Sequence, residues 1–319
     1  MSANNMSSRI TYAAIEIGGS KLQLAVGNAA GKILERFRFP VDRSQGAEGI
    51  RRHIETKVKQ LLAARQPRAV GVGYGGPVNW RNGQICCSHH IAGWSDFPLG
   101  EWLRSLTGLP VVVDNDANVA ALGEATHGAG QRHNPVFYVT LGSGVGGGLV
   151  VDGSIYHGTT PGEAELGHVR LDRRGTTVEA RCAGWAVDRK IRAFIKRHPR
   201  SRLARLAGRT AGGEARCLGP ALRQNDPSAR RILRETAADL AFGLSHAVHL
   251  FHPQVIVIGG GLALLGEPLR AAVSEALPRF VMAAFAPGPR VALAALGEDA
   301  VPVGALVLAA RSARDCIGG

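Results

Sequence analysis

The stretch 112-VVDNDANVAALGE-124 places acidic and amide residues between an apolar run and what reads as a helix. Residues 111–113 are β-branched valines that follow a proline, which predicts a buried strand. The stretch 117-ANVAALGE-124 is typical of the start of a helix. The polar residues 114–116 therefore lie near the carboxyl end of a strand, where open α/β sheets bind ligands. A simple helix cap made by Asp or Asn would explain the same residues, and the stretch alone leaves both explanations open.

The composition is that of an ordinary globular protein with room for two domains. The chain has 319 residues, of which 45% are hydrophobic and 20% charged. No apolar run approaches the roughly 20 residues that a membrane span needs. The start, MSANNMSSRI, contains no apolar stretch, so we expect no secretory signal. The cysteines are scattered and form no CxxC pair, which favours reduced thiols in the cytoplasm.

The chain is strongly basic, with a net charge of +13 and a pI of about 10.3. Nucleic-acid binding must therefore be considered. The arginines concentrate between Arg189 and Arg234, where helical spacing is typical of a solvated face. The same charge can attract an anionic substrate such as a nucleotide. We expect a small-molecule partner rather than nucleic acid or a membrane.

The wider pattern predicts a duplicated α/β unit. Strand, glycine turn and strand occur in 12-YAAIEIGGSKLQLAVG-27 and again over residues 137–151, where we expect residues 142–148 to form the turn. We predict an N-terminal domain of residues 1–122 and a C-terminal domain of residues 123–300, with helix 301–314 closing on the first. The other predicted elements are strands at 32–41, 69–76 and 255–258 and helices at 46–65, 99–106 and 228–251.

Three glycine clusters follow apolar strands: 16-EIGGSK-21, 141-LGSGVGGG-148 and 258-IGGGLA-263. Glycine lets backbone N–H groups approach a phosphate closely, and Ser20 and Ser143 would add hydroxyl donors. The clusters match neither a GxxxxGK[ST] loop nor a GxGxxG turn that opens a helix. One cluster alone is compatible with a simple turn, whereas three in this order are more specific for phosphate binding.

With further motifs, these clusters make the chain resemble the ROK family of sugar kinases and repressors, within the actin-like ATPase superfamily. The resemblance covers about residues 12–310. Beyond the clusters it rests on 71-GVGYGGPV-78, 93-GW-94, 114-DNDAN-118 and 162-GEAELGH-168. It implies a two-domain α/β fold of the actin-like (ribonuclease H-like) kind with an interdomain cleft, holding ATP on one side and sugar on the other.

The resemblance also implies a role for each motif residue. Asp116 matches the aspartate that acts as general base and takes the proton of the sugar hydroxyl attacking the γ-phosphate. Asn115 matches an amide that hydrogen-bonds the sugar. The other implied sugar contacts are Gly76, Glu165, His168 and, where the family has asparagine, His90. The implied ATP contacts are Gly18, Gly19, Ser20, Lys21, Gly142, Ser143, Gly144, Gly259, Gly260 and Gly261.

Two departures from the family pattern concern metals. Glu16 stands where the family has the aspartate that orients Mg²⁺ through water, and because a carboxylate is kept we expect ATP and Mg²⁺ as cofactors. Many members carry three cysteines after the histidine, giving a Cys₃His zinc site. Here 175-GTTVEARCAGWAVDRK-190 contains Cys182 alone. We therefore expect no zinc site, and Trp185 as the packing anchor of this segment.

The acceptor side has changed as well. The glutamate that follows the last zinc cysteine in the family falls near Val187 here, with Asp188 next to it as a candidate substitute. His90 is the second altered contact. A site built to pair a hydroxyl rejects analogues that lack it, so changed contacts predict a changed acceptor. We expect a modified sugar or a cyclitol-like polyol rather than plain glucose.

The expected function is ATP-dependent phosphorylation of a sugar or sugar-like polyol by a cytoplasmic enzyme. A homodimer is implied, since relatives commonly form dimers. Glu16 and the missing zinc cysteines leave open a catalytically silent sugar-binding protein. The repressors of the family carry a helix-turn-helix domain ahead of the first phosphate strand, which begins near Tyr12 here. A sugar-responsive transcriptional regulator is therefore the less favoured alternative.

Overall fold

A computed structural model describes residues 10–88, 91–162, 164–208 and 212–315. The contacts divide the chain into two compact units: Met1–Arg132 with Gly148–Ala164 and Glu298–Gly319, and His133–Gly147 with Glu165–Gly297. The division into domains 1–122 and 123–300 stays a prediction. Within the described ranges, no helix combines the length and apolar character needed to cross a bilayer.

Strands and helices follow one another much as the sequence predicts. The strands are β1 (Tyr12–Ile17), β2 (Lys21–Gly27), β3 (Ile33–Pro40), β4 (Val70–Tyr74), β5 (Val78–Asn79), β6 (Gln84–Ile85), β7 (Val111–Asn115), β8 (Val136–Leu141), β9 (Val145–Val151), β10 (Ser154–Ile155), β11 (Val255–Gly259) and β12 (Arg290–Leu293). The helices are α1 (Gly46–Arg65), α2 (Leu99–Thr107), α3 (Asp116–His127), α4 (Val178–Cys182), α5 (Gly184–Arg197), α6 (Arg202–Ala207), α7 (Leu218–Arg223), α8 (Pro227–Phe251), α9 (Glu267–Ala276) and α10 (Ala300–Asp315).

Two sheets share one strand order. The first runs β3-β2-β1-β4-β7 and the second β10-β9-β8-β11-β12, so each follows the order third, second, first, fourth and fifth along the chain. In the first sheet β1 is antiparallel to β2 and parallel to β4, which is parallel to β7. In the second, β8, β11 and β12 are parallel. This repeated order agrees with the predicted duplication of an α/β unit.

The first sheet is covered on both faces. Alternate residues of a strand point to opposite sides, so a strand buried on both sides is apolar throughout. Ile15 of β1 packs in a cluster with Ile54 of α1 and Leu103 of α2. Ala14 belongs to a different cluster, with Ala305 of α10. The C-terminal helix therefore packs on the first sheet.

The longest described helix, α8, begins and ends at residues that are suited to helix termini. Asp226 is the N-cap, and its Oδ1 accepts hydrogen bonds from Ser228 N (2.8 Å) and Ala229 N (2.9 Å). Pro227 is the first helical residue, a position where its missing N–H is not needed. His252 ends the helix with a left-handed backbone, φ 46°. The prediction of a helix over residues 228–251 is confirmed.

One predicted turn is shorter than expected. The glycine turn forecast for residues 142–148 ends at Gly144, because β9 already begins at Val145. A methyl group at Gly148 would lie 2.7 Å from the Ala117 carbonyl oxygen. The glycine at this position of β9 therefore allows close approach to α3, rather than a change of chain direction.

Candidate active site

The carboxyl ends of β1, β4 and β7 meet at one edge of the first sheet. In the parallel register, Glu16 lies beside Gly73, and Gly73 lies beside Asp114. One residue further, Tyr74 lies beside Asn115. Ligands of open α/β sheets bind outside the carboxyl ends of the strands. The first glycine turn and the acid–amide motif, which are far apart in sequence, therefore lie at the same edge.

Asn115 is the N-cap of α3. Its Oδ1 accepts hydrogen bonds from Ala117 N (2.9 Å) and Asn118 N (3.3 Å), and its Nδ2 donates to the Gly76 carbonyl oxygen (3.1 Å). The cap satisfies backbone N–H groups that have no partner inside the helix. Asp116 is the first residue within the helix. The cap therefore accounts for Asn115 and does not account for the carboxylate of Asp116.

The Asp116 carboxylate lies against the backbone next to the first glycine turn. A methyl group at Gly75 would be 3.2 Å from Asp116 Oδ2, 3.4 Å from Ile17 O and 3.5 Å from Gly18 Cα. Burial raises the pKa of the Tyr74 phenol, and the negative charge of Asp116 adds to that rise. The structure thus brings the predicted base into the neighbourhood of the predicted phosphate turn.

Glu16 is buried, and each of its carboxylate oxygens has a partner. Oε1 lies 3.1 Å from Lys21 Nζ, and Oε2 accepts a hydrogen bond from Gln23 Nε2 (2.6 Å). The Oε1 atom of Gln23 in turn accepts from Arg38 Nε (2.7 Å). Burial raises the pKa of the Glu16 carboxyl, and Lys21 and Gln23 act against this rise. The side chain is therefore held in one orientation at the sheet edge.

The Glu16 carboxylate is of the kind that can hold a magnesium ion arriving with a nucleotide. Mg²⁺ is usually held by one or two carboxylates together with phosphate oxygens and water, rather than by an all-protein cage. Glu16 offers one such carboxylate, since each of its oxygens can accept more than the single contact described above. Among the residues that the structure describes, no group of three or more His, Cys, Asp and Glu side chains is placed to hold a metal.

The second glycine turn, Gly142–Gly144, joins β8 to β9. Gly142 N donates to the Gly144 carbonyl oxygen (2.9 Å), and Gly184 N, at the start of α5, donates to the Gly142 carbonyl oxygen (2.8 Å). Val145 N donates to Glu179 Oε2 (3.0 Å). Glu179 was not among the candidate residues from the sequence, and no spacing signal pointed to it. It supports the glycine turn from the neighbouring helix α4.

The third glycine cluster, residues 259–261, lies beside the second glycine turn, at the edge of the second sheet where β8 and β11 end. Gly259 pairs with Thr140 in the parallel register, and a methyl group at Gly260 would meet the Leu141 backbone at 2.6 Å. Ser143 is exposed at the tip of the second turn. The two clusters predicted to bind ATP in this unit are therefore adjacent.

Glu165 and His168 frame a short 3-10 turn, Leu166–His168. Their side chains are 45% and 76% exposed, and His168 Nε2 lies 3.9 Å from Glu165 Oε2. Gly167 approaches the Val145 carbonyl so closely that a methyl group there would clash with it. The predicted sugar contacts Glu165 and His168 therefore lie near the second glycine turn, with side chains open to a ligand.

The predictions for the altered acceptor-side residues His90, Val187 and Asp188 differ in how they compare with the structure. His90 lies outside the described residues, so its contact with a sugar stays a prediction. Val187 is 1% exposed in the core, and the prediction that it faces a sugar hydroxyl is wrong. The carboxylate of Asp188 accepts from Gly213 N (3.1 Å) and Ala215 N (2.6 Å). Asp188 therefore ties down a neighbouring turn instead of replacing the lost sugar contact.

The segment that lacks the zinc cysteines is held by small apolar side chains. Cys182 is buried, its Sγ donates to the Thr236 carbonyl oxygen (3.6 Å), and burial raises the pKa of its thiol to about 12. Val178 and Ala186 are fully buried, whereas Trp185 is 41% exposed. The prediction that Trp185 anchors the segment is therefore wrong, because the face of α5 that packs inward does not include it.

Comparisons by sequence and by structure both find proteins of one family. The model of the ROK family matches residues 12–312. A glucokinase from Thermotoga maritima is 31% identical over 299 residues, which cover 91% of this chain and 94% of that protein. A solved ROK family glucokinase from Streptomyces griseus, in complex with glucose and AMPPNP, is 32% identical with a TM-score of 0.83, covering 94% of this chain and 99% of that one. A ROK family transcriptional regulator, a homologue of the E. coli MLC protein, is similar in fold alone, with 20% identity and a TM-score of 0.84 over 97% of this chain and 80% of that one.

Proposed function

Because the chain belongs to the ROK family, we propose that it is an ATP-dependent kinase that phosphorylates a hexose. Its likeness to solved ROK kinases confirms the predicted two-domain actin-like ATPase fold. The observation that supports the activity most directly is the position of Asp116. Its carboxylate lies against Gly75 and close to Gly18, while the helix cap is made by Asn115.

The acceptor side can be assigned residue by residue. Phosphoryl transfer needs positioning, charge neutralisation and a carboxylate that accepts the proton of the attacking hydroxyl. Asp116 takes this proton. Asn115 has two amide protons, of which one is used by Gly76, so the other is left for a sugar hydroxyl. Glu165 and His168, both exposed, accept from and donate to neighbouring hydroxyls.

The nucleotide side uses the glycine turns. Backbone N–H groups at Gly19 and Ser20 and at Ser143 and Gly144 receive phosphate oxygens, and the 259–261 cluster receives the adenosine end. The N–H groups of Gly18 and Gly142 instead close the two turns, by donating to Lys21 O (3.0 Å) and Gly144 O (2.9 Å). When bound, Mg²⁺ neutralises charge on the phosphates, and Glu16 would hold it. Lys21, whose side chain is 39% exposed, balances the charge of Glu16 and presents its ammonium group at the same edge.

Glucose is the first acceptor to test. Two relatives that are 31% and 30% identical are glucokinases, and the buried position of Val187 removes one of the two reasons for expecting an unusual acceptor. The experiment is a coupled ADP-release assay at saturating Mg-ATP with glucose, mannose, fructose, N-acetylated hexosamines and cyclitols. Sugar-dependent ADP release supports the proposal. Sugar binding by calorimetry without ADP release from any of them would instead identify a silent sugar-binding protein.

We further propose a cytoplasmic homodimer that contains no zinc and whose partners are small molecules. The basic charge then serves to attract the nucleotide rather than nucleic acid. Size-exclusion chromatography with light scattering tests the dimer, since a monomeric mass at micromolar concentration would contradict it. Retention of labelled DNA or RNA at physiological salt would contradict the assignment of partners.

A further inference from the structure

A buried cluster centred on Asp114 lies next to the residue proposed as the base, Asp116. Asp114 is 3% exposed, and its carboxylate accepts three hydrogen bonds. Oδ1 accepts from Asn115 N (2.8 Å) and Asn118 Nδ2 (3.0 Å), and Oδ2 accepts from His157 Nε2 (2.6 Å). Burying a carboxylate is costly unless such partners are present. The backbone of the turn that carries the base is therefore held through Asp114.

His157 has its orientation fixed by an aromatic stack. Its ring is nearly parallel to that of Trp80, with centroids 4.1 Å apart and an interplanar angle of 14°. The guanidinium of Arg81 lies 4.5 Å from the Trp80 ring centroid. The His157 side chain is only 16% exposed. Because a carboxylate only accepts hydrogen bonds, the Nε2 atom directed at Asp114 must carry its proton.

The segment that begins at His157 is attached to the same turn a second time. The Gly162 carbonyl oxygen accepts a hydrogen bond from Asn118 Nδ2 (3.3 Å). A methyl group at Gly162 would lie 2.7 Å from the His157 carbonyl oxygen, so the two ends of the segment are close together. Residues 157–162 are thus tied at both ends to the 114–118 turn, immediately before the chain continues to the ELGH motif.

We propose that His157 is a positioning residue for the phosphoryl transfer: its hydrogen bond to Asp114 keeps Asp116 oriented toward the acceptor hydroxyl. This inference rests on the proposed kinase function. Loss of the donor leaves Asp114 buried with one partner fewer, and the turn relaxes. Active sites are sensitive to such movement, since a misplacement of about 1 Å can cost about 10²-fold in rate. The effect falls on kcat and spares the binding of ATP, which uses the glycine turns.

Two substitutions of His157 separate its hydrogen bond from its packing. His157→Phe keeps a ring to stack on Trp80 and removes the donor, whereas His157→Gln keeps a donor and removes the ring. We expect His157→Phe to lower kcat about 10–100-fold, with the KM for ATP within about twofold of wild type. His157→Gln should recover most of the lost kcat. Both are measured by coupled ADP release with the best sugar of the wild-type screen.

The outcomes distinguish the inference from the function on which it rests. A wild-type kcat in His157→Phe would overturn it, as would equal losses in both variants, since the ring and not the hydrogen bond would then matter. If His157→Phe does not fold, Asn118→Ala takes its place, because it removes the bonds to Asp114 and Gly162. An unchanged kcat in that variant would also overturn the inference. A wild-type protein without any sugar-dependent ADP release would refute the kinase function itself, and the inference with it.

Discussion

Replacing Asp116 with asparagine should separate catalysis from stability. Asp116 is the first residue within α3, so the substitution leaves intact the cap in which Asn115 accepts from Ala117 N and Asn118 N. The substitution removes a negative charge from the helix N-terminus, which is worth about 0.3–1 kcal/mol. We therefore expect the free energy of unfolding to fall by about 1 kcal/mol.

The expected loss of activity is larger. An amide has the shape of the carboxylate but cannot accept the hydroxyl proton, and losing a general base typically lowers the rate about 10²–10⁴-fold. This corresponds to about 3–5 kcal/mol in the activation barrier, several times the cost in stability. kcat should fall by this factor while the KM for ATP changes little, because the backbone of the glycine turns is unaltered.

The assay is coupled ADP release at saturating Mg-ATP, with urea unfolding of the same preparations. Asn115→Ala is the matched comparison for stability, because it removes the cap and should cost about 0.5–2 kcal/mol. An Asp116→Asn variant that turns over sugar at close to the wild-type rate would show that Asp116 is not the base. A loss of stability greater than that of Asn115→Ala would show that Asp116 is chiefly a structural residue.

Three further predictions concern the second unit. Gly260 and Gly266 have φ of 81° and 71°, but a methyl group would meet backbone at 2.6 Å at Gly260 and nothing within 4 Å at Gly266. Gly260→Ala should therefore cost about 1–3 kcal/mol more than Gly266→Ala in chemical unfolding, and equal costs would contradict the close contact. Glu179→Ala should cost about 1–3 kcal/mol because the Val145 N–H loses its acceptor, whereas Glu179→Gln keeps one; two variants of equal stability would show that this bond is unimportant. Elemental analysis should find far less than one zinc per chain, and EDTA should leave the unfolding midpoint unchanged; stoichiometric zinc would refute this expectation.

Elements with a local signature could be predicted from the sequence. The valines of β7 indicate a strand, and the recurrence of apolar residues at spacings of three and four in α1 (Ile50, Ile54, Val58 and Leu61) indicates a helix. The errors arose where a residue type has more than one use. The sequence around Gly148 predicts a turn, although the glycine in β9 lets α3 approach closely. The size of Trp185 predicts a packing anchor, although the inward face of α5 does not include it.

The sequence by itself determined the duplicated α/β pattern, the three glycine clusters and the acid–amide motif, because periodicity and turn chemistry act over a few residues. Only the tertiary structure decided that Asn115 rather than Asp116 caps α3, that Val187 is buried, and that His157 reaches Asp114 across 43 residues of sequence. A hydrogen bond forms only between groups that packing brings to within about 3 Å of each other. Spacing along the chain contains no information on such distances, since they depend on how whole strands and helices pack.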